Sequence, residues 1–249
     1  MAYTTINKST DNFRTKTYTG NSTNNTAITW DESTNMKPDF LWLKNRTLAQ
    51  EHWLCDVVRG ANYFSESDTS NAQQDGTGGF DSFNTNGFTV DNTARTNRNT
   101  MVGWGWKAGT SFSNSAGANG ASIASTGSIN TTAGFSIIKY TGTGSNATVG
   151  HGLGAVPKMI IVKKLSGSDS WTIYHASLGA TKKINFDTGA VGTQSDRWND
   201  TSPTNTLFSI GTNGSVNANN ATYVAYCFAD KLGYSKFGSY TGNGNANGT

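Results

Sequence analysis

The sequence predicts an all-β protein of two tandem antiparallel β-sandwich, jelly-roll-like domains related by internal duplication, and three observations predict it. First, the chain repeats itself: Thr17-Tyr18-Thr19-Gly20-Asn21 returns as Lys139-Tyr140-Thr141-Gly142-Thr143 and begins again as Ser239-Tyr240-Thr241-Gly242-Asn243. Second, the apolar runs are short, rich in β-branched and aromatic residues, and bounded by Gly, Asn, Ser and Pro, as in Phe40-Leu41-Trp42-Leu43 and Met159-Ile160-Ile161-Val162. Third, no segment carries the period of an amphipathic helix, and several short strands between turn signals in roughly a hundred residues fit a sandwich.

The repeat extends through the whole unit. Lys37-Pro38-Asp39-Phe40 aligns with Val156-Pro157-Lys158-Met159, Trp53 with Trp171, Phe88 with Phe208, and Met101-Val102-Gly103-Trp104-Gly105-Trp106 with Tyr223-Val224-Ala225-Tyr226-Cys227-Phe228. Equivalent anchors lie 118 to 122 residues apart, a drift small enough for one ancestral unit. The expected organisation is an N-terminal docking segment (1–14), a first repeat (15–108), a Gly/Ser-rich linker or insertion (109–133), a second repeat (134–233), and the start of a third repeat or a C-terminal strand (234–249). If the last segment is the start of a third repeat, the natural polypeptide continues past Thr249.

In the second unit the expected strands are, in order, Phe135 to Tyr140, Ala147 to His151, Lys158 to Lys164, Ser170 to His175, Lys182 to Asp187, Thr206 to Ile210 and Ala221 to Ala229. The third strand follows a proline, which can begin a strand but not sit inside a central one. In the last strand of each unit, Val102, Trp104 and Trp106 share one face, as do Val224, Tyr226 and Phe228. The opposite faces are small or apolar too, so this strand should be central and covered on both sides. Gly142-Thr143-Gly144 and Gly150-His151-Gly152-Leu153-Gly154 read as hairpin turns, because no helix follows them to make a phosphate cradle.

Composition narrows the function. Charged residues make up 14% with a net charge of +3, too few and too scattered for a nucleic-acid footprint. No apolar run approaches the length of a membrane span, and the start lacks the basic and apolar regions of a secretory signal, so synthesis in a cytoplasm is expected. Cys55 and Cys227 occupy non-equivalent places in the two units and read as buried free thiols.

Catalytic constellations are thin. His52, His151 and His175 stand in no metal-ligand spacing, and the nearest acid/base grouping is Glu51 or Asp56 beside His52. Asp75-Gly76-Thr77-Gly78-Gly79 lacks the spaced carboxylates of a calcium loop. No enzyme activity, cofactor or metal is expected. Carbohydrate binding, by contrast, uses aromatic faces beside amides and hydroxyls, which this chain has in quantity. The aromatics that break the repeat, Trp30, Tyr63, Phe64 and Trp198, lie in polar, loop-like sequence; Trp30, Tyr63 and Trp198, with Arg197 and Asp200 beside the last, are the candidate binding residues. Their alternative is a loop anchor packed on its own sandwich.

Met1-Ala2-Tyr3-Thr4-Thr5-Ile6-Asn7-Lys8-Ser9, the block Gly134 to Gly144, the turn Gly150 to Gly154, and Tyr223 to Phe228 followed by Gly233-Tyr234-Ser235-Lys236-Phe237-Gly238 resemble repeated domains of virion structural proteins of marine bacteriophages, cyanophages included. Such proteins are described as tail-fibre-like or lectin-like. The first unit departs from the pattern, with Ile28-Thr29-Trp30-Asp31-Glu32 in place of the Gly-His-Gly-Leu-Gly turn. The resemblance implies a virion protein of a tail fibre or related appendage, made in the host cytoplasm. Its expected partners are other virion proteins, docked through Tyr3, Ile6 and Phe13, further copies of itself (a trimer by analogy with other fibres), and host surface glycans. The alternatives are a capsid decoration or head-fibre protein and a polysaccharide-degrading virion enzyme.

Overall fold

Residues 4–246 are described by the computed structural model, and the chain is all-β, with antiparallel sheets packed as sandwiches. The first unit contains β1 (Phe13–Asn21), β2 (Thr26–Thr29), β3 (Phe40–Asn45), β4 (Trp53–Asp56), β5 (Tyr63–Glu66), β6 (Gln74–Asp75), β7 (Phe80–Asn84), β8 (Gly87–Val90) and β9 (Arg98–Trp106). The hairpin of β10 (Thr110–Asn114) and β11 (Ser125–Asn130) follows. The second unit contains β12 (Phe135–Thr141), β13 (Ala147–Gly150), β14 (Pro157–Lys164), β15 (Thr172–His175), β16 (Lys182–Asn185), β17 (Val191–Thr193), β18 (Leu207–Ile210) and β19 (Thr222–Ala229), with the one-turn helices α1 (Ser195–Trp198) and α2 (Gly214–Asn217). All seven strands expected in this unit are present.

The large sheet of the first unit runs β1-β9-β3-β4-β5-β6, and that of the second runs β10-β11-β12-β19-β14-β15-β16-β17. From β12 onward the second order matches the first position for position. Register matches as well. Tyr18 faces Met101 as Tyr140 faces Tyr223, and Phe40 faces Trp106 as Met159 faces Phe228. The smaller sheets, β2-β8-β7 and β13-β18, cover one face of each large sheet.

Several expectations are refined or corrected. The stretch 109–133, expected as a linker or insertion, forms β10 and β11, and β11 pairs along β12 and extends the second large sheet. Gly127 is required there, since a Cβ would stand 2.0 Å from the Ile137 carbonyl oxygen. Neither Gly142 to Gly144 nor Gly150 to Gly154 is a hairpin turn, because β13 pairs with β18 while β12 pairs with β11 and β19 and β14 pairs with β15 and β19, so each of these turns carries the chain from one sheet to the other. Of the two alternatives for 234–249, the C-terminal strand is not formed by residues 236–246, and Tyr240 is 94% exposed. Finally, Trp53 and Trp171 are not equivalent. Leu43 faces Trp53, whereas Val162 faces Thr172, and a slip of one residue turns a side chain to the opposite face. Trp53 therefore stacks on Phe64 inside its own unit, centroids 3.7 Å apart. Trp171 points toward the other unit and donates its Nε1–H to the Glu66 carbonyl at 2.7 Å.

Strand alternation decides where the cores lie. Tyr223, Ala225 and Cys227 face β13 and β18, while Val224, Tyr226 and Phe228 face the first unit. In the first unit Leu41, Leu43 and Cys55 pack with Trp30 and Phe88, and Phe40, Trp42, Leu54 and Trp106 face outward to meet the second. The two large sheets thus share a third core. Phe40 lies 4.4 Å from Tyr226 and 6.0 Å from Phe135, and Trp42 lies 5.5 Å from Phe186.

Inside this shared core sits a buried ion pair. Arg59 donates Nε–H to Asp56 Oδ2 at 2.5 Å, and its terminal nitrogens donate to Ser65 Oγ at 2.8 Å and the Leu54 carbonyl at 2.7 Å. From the second unit the Tyr226 hydroxyl donates to Asp56 Oδ2 at 2.8 Å and accepts from Arg59 at 3.1 Å. The other carboxylate oxygen accepts the backbone N–H groups of Val58 and Arg59. Burial opposes the charge on Arg59, but the adjoining carboxylate overcomes it and holds the guanidinium ionised. At the far edge of the interface Lys163 Nζ donates to the Ser70 and Asp169 carbonyls, 3.1 and 2.5 Å away, and burial pulls its ammonium down to about 8.

Asp56→Ala strands a buried guanidinium and is expected to lower the unfolding free energy by about 3–5 kcal/mol. Tyr226→Phe removes two hydrogen bonds, one to Asp56 and one from Arg59, and is expected to lower it by about 2–3 kcal/mol. Urea unfolding followed by tryptophan fluorescence measures both; equal, small losses would mean that water reaches the pair.

Candidate functional site

Of the five candidate binding residues, two belong to the interior. Trp30 is 3% exposed, donates its Nε1–H to the Met36 carbonyl at 2.8 Å, and packs edge-on against Phe88 at 5.6 Å. It lies over Gly105, where a Cβ would stand 2.7 Å from the indole. Trp198 is 1% exposed and packs against Tyr174 at 5.8 Å. Both are anchors, because an indole in loop-like sequence still carries enough apolar surface to be drawn into the nearest core.

The other three retain solvent contact without forming one site. Arg197 pairs with its neighbour Asp196 at 2.8 Å, and Asp200 is exposed in the left-handed region, φ 44°. Arg197 lies in α1 of the second unit and Asp200 just after it. Tyr63 lies in the first unit on β5, 43% exposed, opposite Asp75 of β6. The Asp75 carboxylate accepts from the Thr77 N–H at 2.9 Å and hydroxyl at 2.6 Å, and these bonds keep it below the ordinary carboxylate range. Tyr63 therefore presents an open ring beside a carboxylate and a hydroxyl. Phe64, its neighbour, is buried against Trp53.

The proposed docking residues are also largely taken up by the fold. Phe13 pairs in register with Trp106 and packs on it at 4.8 Å. Ile6 is buried, and Tyr3 lies outside the described residues. Arg14, at the end of that segment, is 1% exposed and donates to the Thr10 and Thr34 carbonyls at 2.6 and 2.8 Å. Among these residues the segment is consequently part of the first sandwich.

The suggested acid/base grouping does not assemble. Asp56 is committed to Arg59, Glu51 pairs with Arg95 at 2.9 Å, and His52 Nδ1 accepts from Trp42 Nε1 at 2.8 Å. His151 is fully buried in the turn between the two sheets. Its Nδ1 accepts the Leu153 N–H at 3.3 Å, so Nε2 carries the proton and donates to the Thr204 carbonyl at 3.2 Å. Burial holds this ring at about 4, below the ordinary 6.5. The cysteines are free and buried, as expected, and burial pushes both thiols up to about 12. Sequence reasoning missed the Asp56–Arg59–Tyr226 network. Asp56 and Arg59 lie three apart at a strand end, a visible pattern, but the third member is 167 residues beyond Arg59.

The sequence profile of the family described as Domain of unknown function (DUF7483) matches residues 8–249. No curated protein and no solved structure gives a significant match.

Trp30→Ala is expected to cost about 3–5 kcal/mol of stability, whereas Tyr63→Ala should stay within about 0.5 kcal/mol. Thermal and urea unfolding compare the two; a near-neutral Trp30→Ala would return that residue to the surface. A second expectation concerns pH. The unfolded chain protonates His151 near 6.5 and the folded chain only near 4, so the folded state loses stability as pH falls through that window, by up to about 3 kcal/mol. Urea unfolding at several pH values between 7.5 and 4 should show this fall, and His151→Asn should flatten it.

Proposed function

We propose that this chain, which belongs to the DUF7483 family, is a structural protein of a bacteriophage virion, part of a tail fibre or related appendage that can contact host surface glycans. The observation that carries this reading is the way its two like-built units are fastened. A hinged pair of binding modules would meet over a small, polar contact. Here the large sheets share an aromatic core, with a buried ion pair completed by the opposite unit. A joint of this kind resists bending and suits a part that transmits position along an appendage.

The edges support assembly with further copies. In the second unit β11 covers the outer side of β12, while the corresponding strand of the first unit, β1, stands at the end of its sheet order. A strand edge of nine residues is a template for pairing with another chain, although Lys16 on it guards against indiscriminate association. Glycan contact, on this reading, centres on Tyr63 with Asp75 and Thr77, since Trp30 and Trp198 are buried. Tail placement and homo-oligomerisation rest on the sequence resemblance together with these features.

Antibodies against the chain, applied to purified particles of the encoding phage, should label tail appendages in electron micrographs. Labelling spread over the capsid lattice would make it a decoration protein, and absence from purified particles would overturn the virion reading. A multivalent form should bind host cells, with binding weakened by Tyr63→Ala; equal binding by that variant would remove Tyr63 from the contact.

A further inference from the structure

Two packed sheets normally interdigitate at close to crystal density and leave few voids larger than a water molecule. The interface between the two units departs from this, leaving a half-open, mostly apolar cleft of about 340 Å³. One wall comes from the first unit, with Phe40, Trp42 and Trp106. The facing wall comes from the second, with Phe135, Ile161 and Phe228. A third side is closed by the loop after β19, whose Phe237 packs on Phe228 at 5.8 Å.

The lining is a poor host for water. Its polar side chains are Asn12, Tyr226, Tyr234 and Ser235. The Tyr226 hydroxyl is committed to Asp56 and Arg59, and the Ser235 hydroxyl donates to the Ala229 carbonyl at 3.3 Å. The Asn12 side-chain oxygen accepts from Asn130 Nδ2 at 2.9 Å. Water in such a cleft finds few polar partners, so an apolar ligand that displaces it gains apolar burial. A space of roughly 150 Å³ already accommodates benzene, and this one is more than twice as large. Its volume falls within the range of small-molecule sites, which are mostly apolar with a few placed polar groups.

We propose that the cavity between the two units is a binding site for a small uncharged hydrocarbon, a flexible alkyl chain or a fused aromatic ring. Occupancy fastens the units together, because the ligand touches both walls at once. The assignment is independent of where the protein resides in a particle.

N-phenyl-1-naphthylamine, a neutral and largely apolar fluorescent arylamine, tests this on the full chain. The expected result is saturable enhancement with one site per chain, quenching of tryptophan emission through Trp42 and Trp106, displacement by dodecane, and an upward shift of the thermal midpoint. Ala133 also lines the cavity, and Ala133→Trp, which fills it, should abolish the signal while the protein still unfolds cooperatively. If that variant does not fold, Ile173→Phe is the milder filling. Absence of saturable binding by a cooperatively folded wild-type chain overturns the proposal. So does undiminished binding by a folded filled variant, or failure of dodecane to compete. Enhancement without a midpoint shift also overturns it, since a probe adsorbed on exposed surface behaves in that way.

Discussion

The hydroxyl of Tyr226 crosses from one unit to complete the ion pair of the other, and the rest of the molecule is arranged around that contact. Asp56 and Arg59 are both inaccessible to solvent at their side chains, a position tolerable only when every strong polar group is matched. Within the first unit Ser65 and the Leu54 carbonyl satisfy part of the guanidinium. The remainder comes from the partner unit, so neither unit contains the whole network. Aromatic rings from both large sheets surround it and exclude the water that would otherwise take up these bonds.

This demand explains the unusual composition of β9 and β19. Each lies inside its large sheet with a smaller sheet on one side and the other unit on the opposite side, so neither face can be polar. The inner face of β9 must also be thin. Gly103 and Gly105 let Phe88 and Trp30 approach the backbone, where a Cβ would stand 3.1 and 2.7 Å from their rings. The outer face carries Trp104 and Trp106, which meet Trp42 and Phe135 at 6.4 Å each. Large residues therefore serve the joint between units and small ones serve the sandwich beneath. That division is what gives the pair of units a stiff connection, and a stiff connection is what the proposed role in an appendage asks of it.

Much of this was legible along the chain. Short β-branched and aromatic runs between turn residues locate seven of the eight strands of the second unit to within two residues, β17 being missed, because a strand's period of two leaves a local trace. Both cysteines could be read as buried thiols from their neighbours and their non-equivalence. The strands of the 109–133 stretch could not, since Ser, Thr and Gly carry little apolar signal and are held there by the exposed edge of β12. The candidate contact residues were judged by loop-like surroundings, and this criterion fails for tryptophan. Trp30 and Trp198 lie in polar sequence yet reach a core, whereas Tyr63, in similar sequence, keeps an open ring on a short strand near its sheet's edge.

Sequence by itself determined the all-β class, most strand positions of the second unit and the two apolar faces of its last strand, all of which depend on residues within a few positions of one another. Only the tertiary structure decided that the second apolar face belongs to a joint, that Trp171 turns outward where Trp53 turns inward, and that Arg59 finds its partner in Tyr226. The physical reason is the same for each. Burial and pairing depend on which surfaces meet, and surfaces from segments more than a hundred residues apart leave no local pattern from which their meeting can be read.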